Sequence, residues 1–151
     1  ELLPESGTIT QIAMSAMDDW GGRVVESDTP VLVIIEGLTM YLSETDVKRI
    51  FAVIARRFPQ ATVLVETMNP MVVKRFKERS IEGSNAKFTW GVKDGCTLAA
   101  LLPDFRFVEE HCLTEGMAEF VPIYRLLGRI PLVRNISNRI VVLDRTAGGK
   151  E

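Results

Sequence analysis

The chain has 151 residues, of which 46% are hydrophobic and 25% charged, and its formal net charge is −2. These values are typical of one folded domain, expected over residues 1–151, with residues 146–151 as a disordered tail. The small net charge, with no basic cluster larger than Arg56-Arg57, excludes the electrostatic surface of a nucleic-acid-binding protein. No apolar run approaches the roughly 20 residues of a membrane-spanning helix, so no membrane partner is expected.

The first strong element is the apolar run Val31–Ile35, in which four of five residues are β-branched. Such a run predicts a strand buried on both faces, as in the middle of a parallel sheet. It ends at once on Glu36-Gly37. Open α/β sheets place their ligands at the carboxyl ends of parallel strands, so this acid and glycine are candidate site residues. A plain strand and turn would explain Gly37, but would give no reason for Glu36.

A helix and a second strand follow. Ser43 and Asp46 have the spacing of a capping box, and apolar residues then recur at helical intervals until Pro59. Residues 61–66 form another apolar run that ends in an acid, Glu66. Strand, helix and strand in this order predict a βαβ unit.

The remaining elements are less regular. Asn69-Pro70 is a favourable helix start. Near the beginning, the patterns predict a short strand over 8–14. After the βαβ unit they predict a helix over 71–79, a polar loop over 82–87 and a helix over 97–102. The last predicted elements are a strand over 105–112, a helix over 115–127 interrupted near Pro122, and a strand over 140–143. Asp18 and Asp19 are expected to cap a helix that follows Trp20.

Cysteine and histidine give no catalytic or metal-binding pattern. Cys96 and Cys112 are too few and too far apart for a metal motif or a disulfide framework, and reduced thiols indicate a cytoplasmic location. His111 precedes Cys112 in a predicted strand, where adjacent side chains point to opposite faces. We therefore predict a structural or surface histidine, and no metal site.

The segment Glu36-Gly-Leu-Thr-Met-Tyr41-Leu42, with the helix after it and Phe58-Pro59, resembles the leucine carboxyl methyltransferase family. The branch it resembles is that of the tetracenomycin-type polyketide O-methyltransferases. Residues 88–94 and 15–20 are similar to two further stretches of that branch. The resemblance extends over most of the chain, and its specific part is the segment around Glu36.

The resemblance implies an α/β fold, the class I S-adenosylmethionine-dependent methyltransferase (Rossmann-like) sheet. Its strands are ordered three-two-one-four-five-seven-six, and strand seven is antiparallel. Residues 8–14 would supply strand three, and the later strands would supply four to seven. The first two strands and the glycine-rich cofactor loop have no counterpart, because no Gly-x-Gly lies between a strand and a helix. We therefore interpret the chain as the C-terminal portion of such a domain, inactive by itself.

For the site, the resemblance implies that Ser15 and Ala16 contact the adenine of S-adenosylmethionine and that Glu36-Gly37 lies beside its methionine part. Tyr41 and Trp90 would line the acceptor pocket, with ordinary core packing as an equally open alternative. We assign no catalytic residue, because a carboxylate acceptor is already ionised at neutral pH and needs no general base. Positioning of the reactants and exclusion of water are sufficient in principle.

The function implied is O-methylation of a carboxyl or hydroxyl group on a small-molecule or polyketide-like acceptor, with S-adenosylmethionine as cofactor. Two alternatives remain open: a non-catalytic α/β interaction module derived from a methyltransferase, and a fragment of a nicotinamide-dependent oxidoreductase, since both fold types contain βαβ units. The missing strands would leave Val31–Ile35 as an exposed sheet edge, which predicts a homodimer formed through that edge or slow aggregation. The open alternative is that the missing half is supplied separately.

Overall fold

The computed structural model describes residues 9–24, 29–76, 86–121, 123, 130 and 136–146. The strands are β1 (Val31–Ile35), β2 (Ala61–Thr67), β3 (Phe105–Cys112) and β4 (Arg139–Arg145). The helices are α1 (Glu44–Arg57), α2 (Pro70–Phe76), α3 (Gly95–Ala100) and α4 (Leu113–Phe120), and short 3-10 turns cover Trp20–Arg23 and Thr39–Tyr41.

The positions of the four later strands and of α1 confirm the sequence predictions, and three other elements differ. The expected burial of Val31–Ile35 on both faces is wrong, because β1 lies at the edge of the described sheet with Leu32 and Ile34 exposed. Residues 9–14 form no strand, so the expected strand over 8–14 is wrong where the structure describes it. Helix α3 begins at Gly95 and α4 at Leu113, each two residues before its predicted start at 97 and 115. The rest of the helix predicted over 71–79, the later part of 115–127 and residues 147–151 of the tail lie outside the described residues.

The sheet has the strand order β1-β2-β4-β3. β1 and β2 are parallel, whereas β4 is antiparallel to both of its neighbours, β2 and β3. β1, β2 and β3 therefore run in the same direction, and their carboxyl ends lie at one edge of the sheet together with the start of β4. We call this edge the carboxyl edge. The order corresponds to strands four, five, seven and six of the fold implied by the resemblance.

Helix α1 begins with the predicted capping box. Ser43 Oγ accepts a hydrogen bond from the Asp46 N–H at 3.2 Å, and the Asp46 carboxylate accepts one from the Ser43 N–H at 3.1 Å. These contacts satisfy two amides that the first turn of a helix otherwise leaves without partners. The Ser43 hydroxyl also donates to the Asp46 carboxylate at 2.6 Å, and this bond, followed by the one from the Ser43 N–H, lowers the pKa of Asp46.

The main core lies between α1 and one face of the sheet. Its most buried members, none more than 2% exposed, come from α1, the two central strands and α3: Val47, Phe51, Ile54, Val63, Val65, Leu98, Val141 and Leu143. Phe51 packs edge-on against Phe105, with ring centroids 5.0 Å apart. Burial of aliphatic and aromatic surface at this interface is the main stabilising term of the fold.

Helix α3 approaches β3 and β4 so closely that its first residue must be glycine. A Cβ atom placed on Gly95 would lie 2.4 Å from the Phe107 ring and 2.8 Å from Val141 Cγ1. These distances are well inside van der Waals contact. Any side chain at position 95 would therefore push the helix away from the sheet.

β1 lies at the edge of the described sheet, where it pairs with β2 alone. Leu32 is 59% and Ile34 is 65% exposed, because both point away from the face that α1 covers. The sequence carries no lysine or proline on this strand, the residues that commonly prevent edge-to-edge pairing.

Ile34→Lys should weaken self-association of the chain by about tenfold or more, because it places a charge on the exposed apolar edge. Folding should change little, since Ile34 is already 65% exposed. Sedimentation velocity over a range of concentrations measures the effect. Met71→Lys is the matched control, because Met71 is 66% exposed and lies in α2 rather than at this edge. A wild-type chain that sediments as a monomer at every concentration would contradict the prediction.

Candidate functional site

The chain turns sharply after β1, at the predicted Glu36-Gly37 pair. Gly37 has φ +62°, the one positive φ found among the described residues. L-residues rarely adopt this conformation, so the turn itself requires glycine. Glu36 is exposed at the carboxyl edge, and its carboxylate has no hydrogen-bond or ion-pair partner in the part of the chain that the structure describes.

A buried carboxylate from β2 supports this turn. Glu66 is 9% exposed, and its Oε2 accepts a hydrogen bond from the Gly37 N–H at 2.9 Å. Its Oε1 accepts one from Asn138 Nδ2 at 2.7 Å, just before β4. The Thr39 hydroxyl donates to the Glu66 backbone carbonyl at 2.6 Å. One residue therefore connects the end of β2 to the turn after β1 and to the start of β4.

Sequence reasoning noted Glu66 as an acid at the end of a strand but assigned it no role, and it missed Asn138. The signal for Glu66 was the same as for Glu36, namely an acid that ends an apolar run. Asn138 carried no such signal, because its partner is 72 residues away in the chain.

Two adjoining cavities form a groove beside β1, which we call the edge groove. One, of about 240 Å³, is lined by Ala16, Trp20, Val33, Ile34, Ile35, Glu36, Leu38, Ile50 and Ile54. The other, of about 270 Å³, is lined by Ile12, Met14, Ser15, Ala16 and Trp20. The structure thus brings three of the four predicted cofactor-binding residues, Ser15, Ala16 and Glu36, to one groove, and Gly37 directly follows it.

The wall of the edge groove that contains Ser15 is a local turn. The Ser15 N–H donates to the Asp18 carboxylate at 3.3 Å, and the Met17 N–H donates to Ser15 Oγ at 3.2 Å. Asp19 occupies the cap position of the 3-10 turn that starts at Trp20, but its side chain makes no capping hydrogen bond. It binds Arg56 instead, at 2.7 Å. The expectation that Asp19 caps by its side chain is therefore wrong.

Tyr41 and Trp90 are both half-buried in packing contacts. Tyr41 stacks on Phe88 with ring centroids 5.4 Å apart, beside a small cluster around Met40. Trp90 packs against the main core, and its backbone N–H donates to the Met40 carbonyl at 3.3 Å. Neither residue lines the edge groove, and their role in an acceptor pocket stays a prediction.

A larger cavity, of about 600 Å³, lies at the same carboxyl edge between α2 and the start of α3. We call it the carboxyl-edge cleft. Its lining residues are Asn69, Pro70, Met71, Lys93, Asp94, Glu110 and Arg139. Two of them are basic and two are acidic, so the cleft combines balanced charge with the apolar surface of Pro70 and Met71.

The acids of the cleft are already hydrogen-bonded. Glu110 accepts from Arg139 Nη1 and, at 2.7 Å, from the Gly95 N–H. Asp94 caps α3 and accepts from the Thr97 N–H at 2.8 Å and the Thr97 hydroxyl at 2.6 Å. These bonds from Thr97 lower the pKa of Asp94, so that its carboxylate is ionised at neutral pH and is a poor proton acceptor.

Other predicted features of the site can be checked over the same residues. His111 is exposed and lies 3.4 Å from a Glu109 oxygen, which confirms its predicted surface position. The described residues contain no group of acidic, cysteine and histidine side chains able to hold a metal ion. In that same portion of the chain, no helix has the length and apolar character needed to cross a membrane.

The described chain is a mixed α/β structure with a four-stranded sheet, compatible with a methyltransferase-like fold. No protein-family model matches the sequence. The chain is 28% identical over 131 residues to "Tetracenomycin polyketide synthesis O-methyltransferase TcmP" of Streptomyces glaucescens. The match covers 84% of this chain and 48% of that protein, so the chain spans about half the length of this relative. The similarity supports a relationship to a methyltransferase.

Gly37→Ala should lower the free energy of unfolding by roughly 1–2 kcal/mol, because alanine resists the positive φ of the turn. The loss would come from the backbone alone, since nothing lies within 4 Å of the added Cβ. Urea denaturation measures it. Gly116→Ala is the control: its Cβ also meets nothing within 4 Å, but the residue lies in α4, so the variant should be about 0.5–1 kcal/mol more stable. Equal effects of the two changes would contradict this account.

Asp94→Ala should lower the free energy of unfolding at neutral pH by about 1 kcal/mol, as is usual for loss of a helix cap. Asp94→Ser should retain most of the stability. Because the folded pKa of Asp94 is lowered, its ionic contribution is present above the unfolded value of about 3.9 and is lost as the pH falls through the folded value. Denaturation curves across this acidic range should show the ionic part disappear. If the difference in unfolding free energy between wild type and Asp94→Ala is the same in acid as at neutral pH, the whole effect comes from packing.

Proposed function

We propose that the protein is an S-adenosylmethionine-dependent O-methyltransferase, of which this chain forms the portion that holds the edge groove and the carboxyl-edge cleft. Two observations support the proposal together. The described strands have the order and directions of the last four strands of the class I methyltransferase sheet. The relative whose name states an O-methyltransferase matches most of the chain.

The edge groove has the chemistry that the cofactor needs. Its walls, including Ile12, Ala16 and Trp20, offer flat apolar surface for an adenine ring. The exposed Glu36 carboxylate makes no other described contact and is available to accept hydrogen bonds from polar groups of the cofactor. When bound, S-adenosylmethionine supplies an electrophilic methyl group on its sulfonium.

The carboxyl-edge cleft suits an amphipathic acceptor. Apolar ring surface would pack on Pro70 and Met71, while Lys93 and Arg139 would donate hydrogen bonds to oxygen atoms. Glu110 and Asp94 are occupied by their own hydrogen bonds, so neither is placed to remove a proton. We therefore assign the chain a role in binding, orientation and exclusion of water. A carboxyl acceptor arrives ionised at neutral pH, whereas a hydroxyl acceptor would have to lose its proton to a base other than these two acids.

A carboxyl or hydroxyl group of a small, polyketide-like molecule remains the proposed acceptor. The polyketide-like acceptor is supported by the name of the relative, which states polyketide synthesis. The match covers 48% of that protein. We expect no turnover of labelled S-adenosylmethionine by this chain alone, because it contains no glycine-rich loop to hold the methionine end of the cofactor.

A non-catalytic interaction module is the second candidate. The observation in its favour is the apolar edge of β1, where Leu32 and Ile34 are more than half exposed. Such an edge can accept a strand from another chain. Loss of self-association without loss of cofactor binding in Leu32→Lys would separate the two functions, because Leu32 is exposed on β1 and does not line the edge groove. The nicotinamide-dependent alternative has no observation in its favour.

Glu36→Gln should weaken binding of S-adenosylmethionine to the full-length protein by about 1–3 kcal/mol, the range for loss of a charge-assisted hydrogen bond. Stability should be unaffected, because the Glu36 side chain makes no described contact. Isothermal titration calorimetry measures the affinity. Glu109→Gln is the matched control, since Glu109 is another exposed acid and lies on β3. Equal affinities of wild type and Glu36→Gln would remove Glu36 from the cofactor site.

A further inference from the structure

Glu66 is a buried acid that the proposed reaction does not use. It lies next to the end of β2 and pairs with Ile140 of β4, on the sheet face opposite to the one that Val65 and Val141 direct into the main core. With 9% of its surface exposed, it is removed from water although α1 does not cover it. Glu66 therefore lies at the carboxyl edge, in contact with the turn at Gly37.

The contacts of Glu66 explain why the residue is an acid. The Gly37 N–H and Asn138 Nδ2 donate to opposite oxygens of its carboxylate, and both donors are neutral. Among the described residues it has no cationic partner. Burial of a carboxylate is costly unless hydrogen bonds compensate it, and the two described donors provide that compensation here. A carboxylate can accept at both oxygens, whereas a glutamine in the same orientation accepts at one and would direct its own N–H group at a donor.

We infer that Glu66 is a positioning residue, which holds the Glu36-Gly37 turn so that Glu36 faces the edge groove, with Asn138 fixing the Glu66 carboxylate in turn. The inference rests on the proposed function in so far as the groove binds the cofactor. Among the described residues the Glu36 side chain has no hydrogen-bond or ion-pair partner to orient it, so we expect its direction to depend on the backbone at Gly37. That backbone has an unusual φ of +62° and donates its N–H to Glu66.

Hydrogen-bond polarity makes the relation between Glu66 and Asn138 testable. Asn138→Asp would place two carboxylates at a contact that now measures 2.7 Å, so the Glu66 side chain would be repelled from its position. Glu66→Gln in the same chain would restore complementarity. The glutamine oxygen would accept from the Gly37 N–H, and its amino group would donate to the new carboxylate at position 138. The double variant should therefore recover what the single Asn138→Asp variant loses.

The experiment uses the 151-residue chain with two readouts. Amide hydrogen exchange of Gly37, followed by NMR, reports the order of the turn, and titration with S-adenosylhomocysteine reports the groove. In Asn138→Asp we expect Gly37 to exchange about tenfold faster and the ligand to bind about tenfold more weakly, a change of about 1.4 kcal/mol in each equilibrium. In Glu66→Gln/Asn138→Asp both values should return to within about twofold of wild type.

Glu110→Gln is the control, because Glu110 is another partly buried acid at the carboxyl edge that accepts a glycine N–H. It should leave the exchange of Gly37 unchanged. If Asn138→Asp does not fold, Asn138→Ala replaces it, and the same readouts should change in the same direction by a smaller factor.

Three results would overturn the inference. One is unchanged exchange of Gly37 in the Asn138 variants, and another is a double variant that is as impaired as the single one. The third is a changed Gly37 exchange with unchanged ligand affinity, which would limit Glu66 to a structural role. If the wild-type chain binds no S-adenosylhomocysteine at all, the proposed function loses its support, while the exchange and rescue data still decide whether Glu66 holds the turn.

Discussion

The direction of β4 is the constraint on which the rest of the structure depends. Because β4 runs antiparallel between β2 and β3, those two strands run in the same direction as each other and as β1. Val63 and Val65 of β2 and Val141 and Leu143 of β4 are fully buried, so the pairing of these strands also forms the centre of the core. A single arrangement thus determines both stability and the convergence of strand ends at the carboxyl edge.

That convergence produces two sites with different electrostatic character. In the carboxyl-edge cleft, Arg139 compensates Glu110, and the remaining acid, Asp94, is held by Thr97. The edge groove is mostly apolar and contains one acid, Glu36, without a described partner. An exposed carboxylate of this kind is available to accept a hydrogen bond from a ligand. The contrast agrees with the proposal that the edge groove recognises a hydrogen-bond donor of the cofactor and that the cleft binds the acceptor.

The sequence predicted correctly those elements that depend on interactions between residues close together in the chain. The β-branched run of β1, the capping box at Ser43 and the helical spacing of α1 each depend on residues close together in the chain. The strand expected over 8–14 failed for the opposite reason: a strand requires a neighbour with which to form hydrogen bonds, and the described residues provide none at that position. The early start of α3 follows from its cap at Asp94 and from the close approach of Gly95 to Phe107.

The candidate site, too, was predictable only where a local pattern marks its residues. Glu36 and Gly37 were visible because an acid and a glycine interrupt an apolar run within the local sequence. The side chains that support this turn could not be recognised from the sequence, because their partners are distant in the chain. Glu66 is 29 residues from Gly37, and Asn138 is 72 residues from Glu66. Likewise, Ile12 and Leu38 line the same groove only because the fold brings distant parts of the chain together.

We propose that the edge groove binds S-adenosylmethionine, and a two-dimensional amide NMR titration of this chain with S-adenosylhomocysteine tests this proposal most directly. The method detects weak binding, which suits a chain without a glycine-rich loop. The account predicts that shift changes concentrate at Ser15, Ala16, Glu36 and Gly37 and that they saturate. Shift changes centred elsewhere, or none at millimolar ligand, would contradict it.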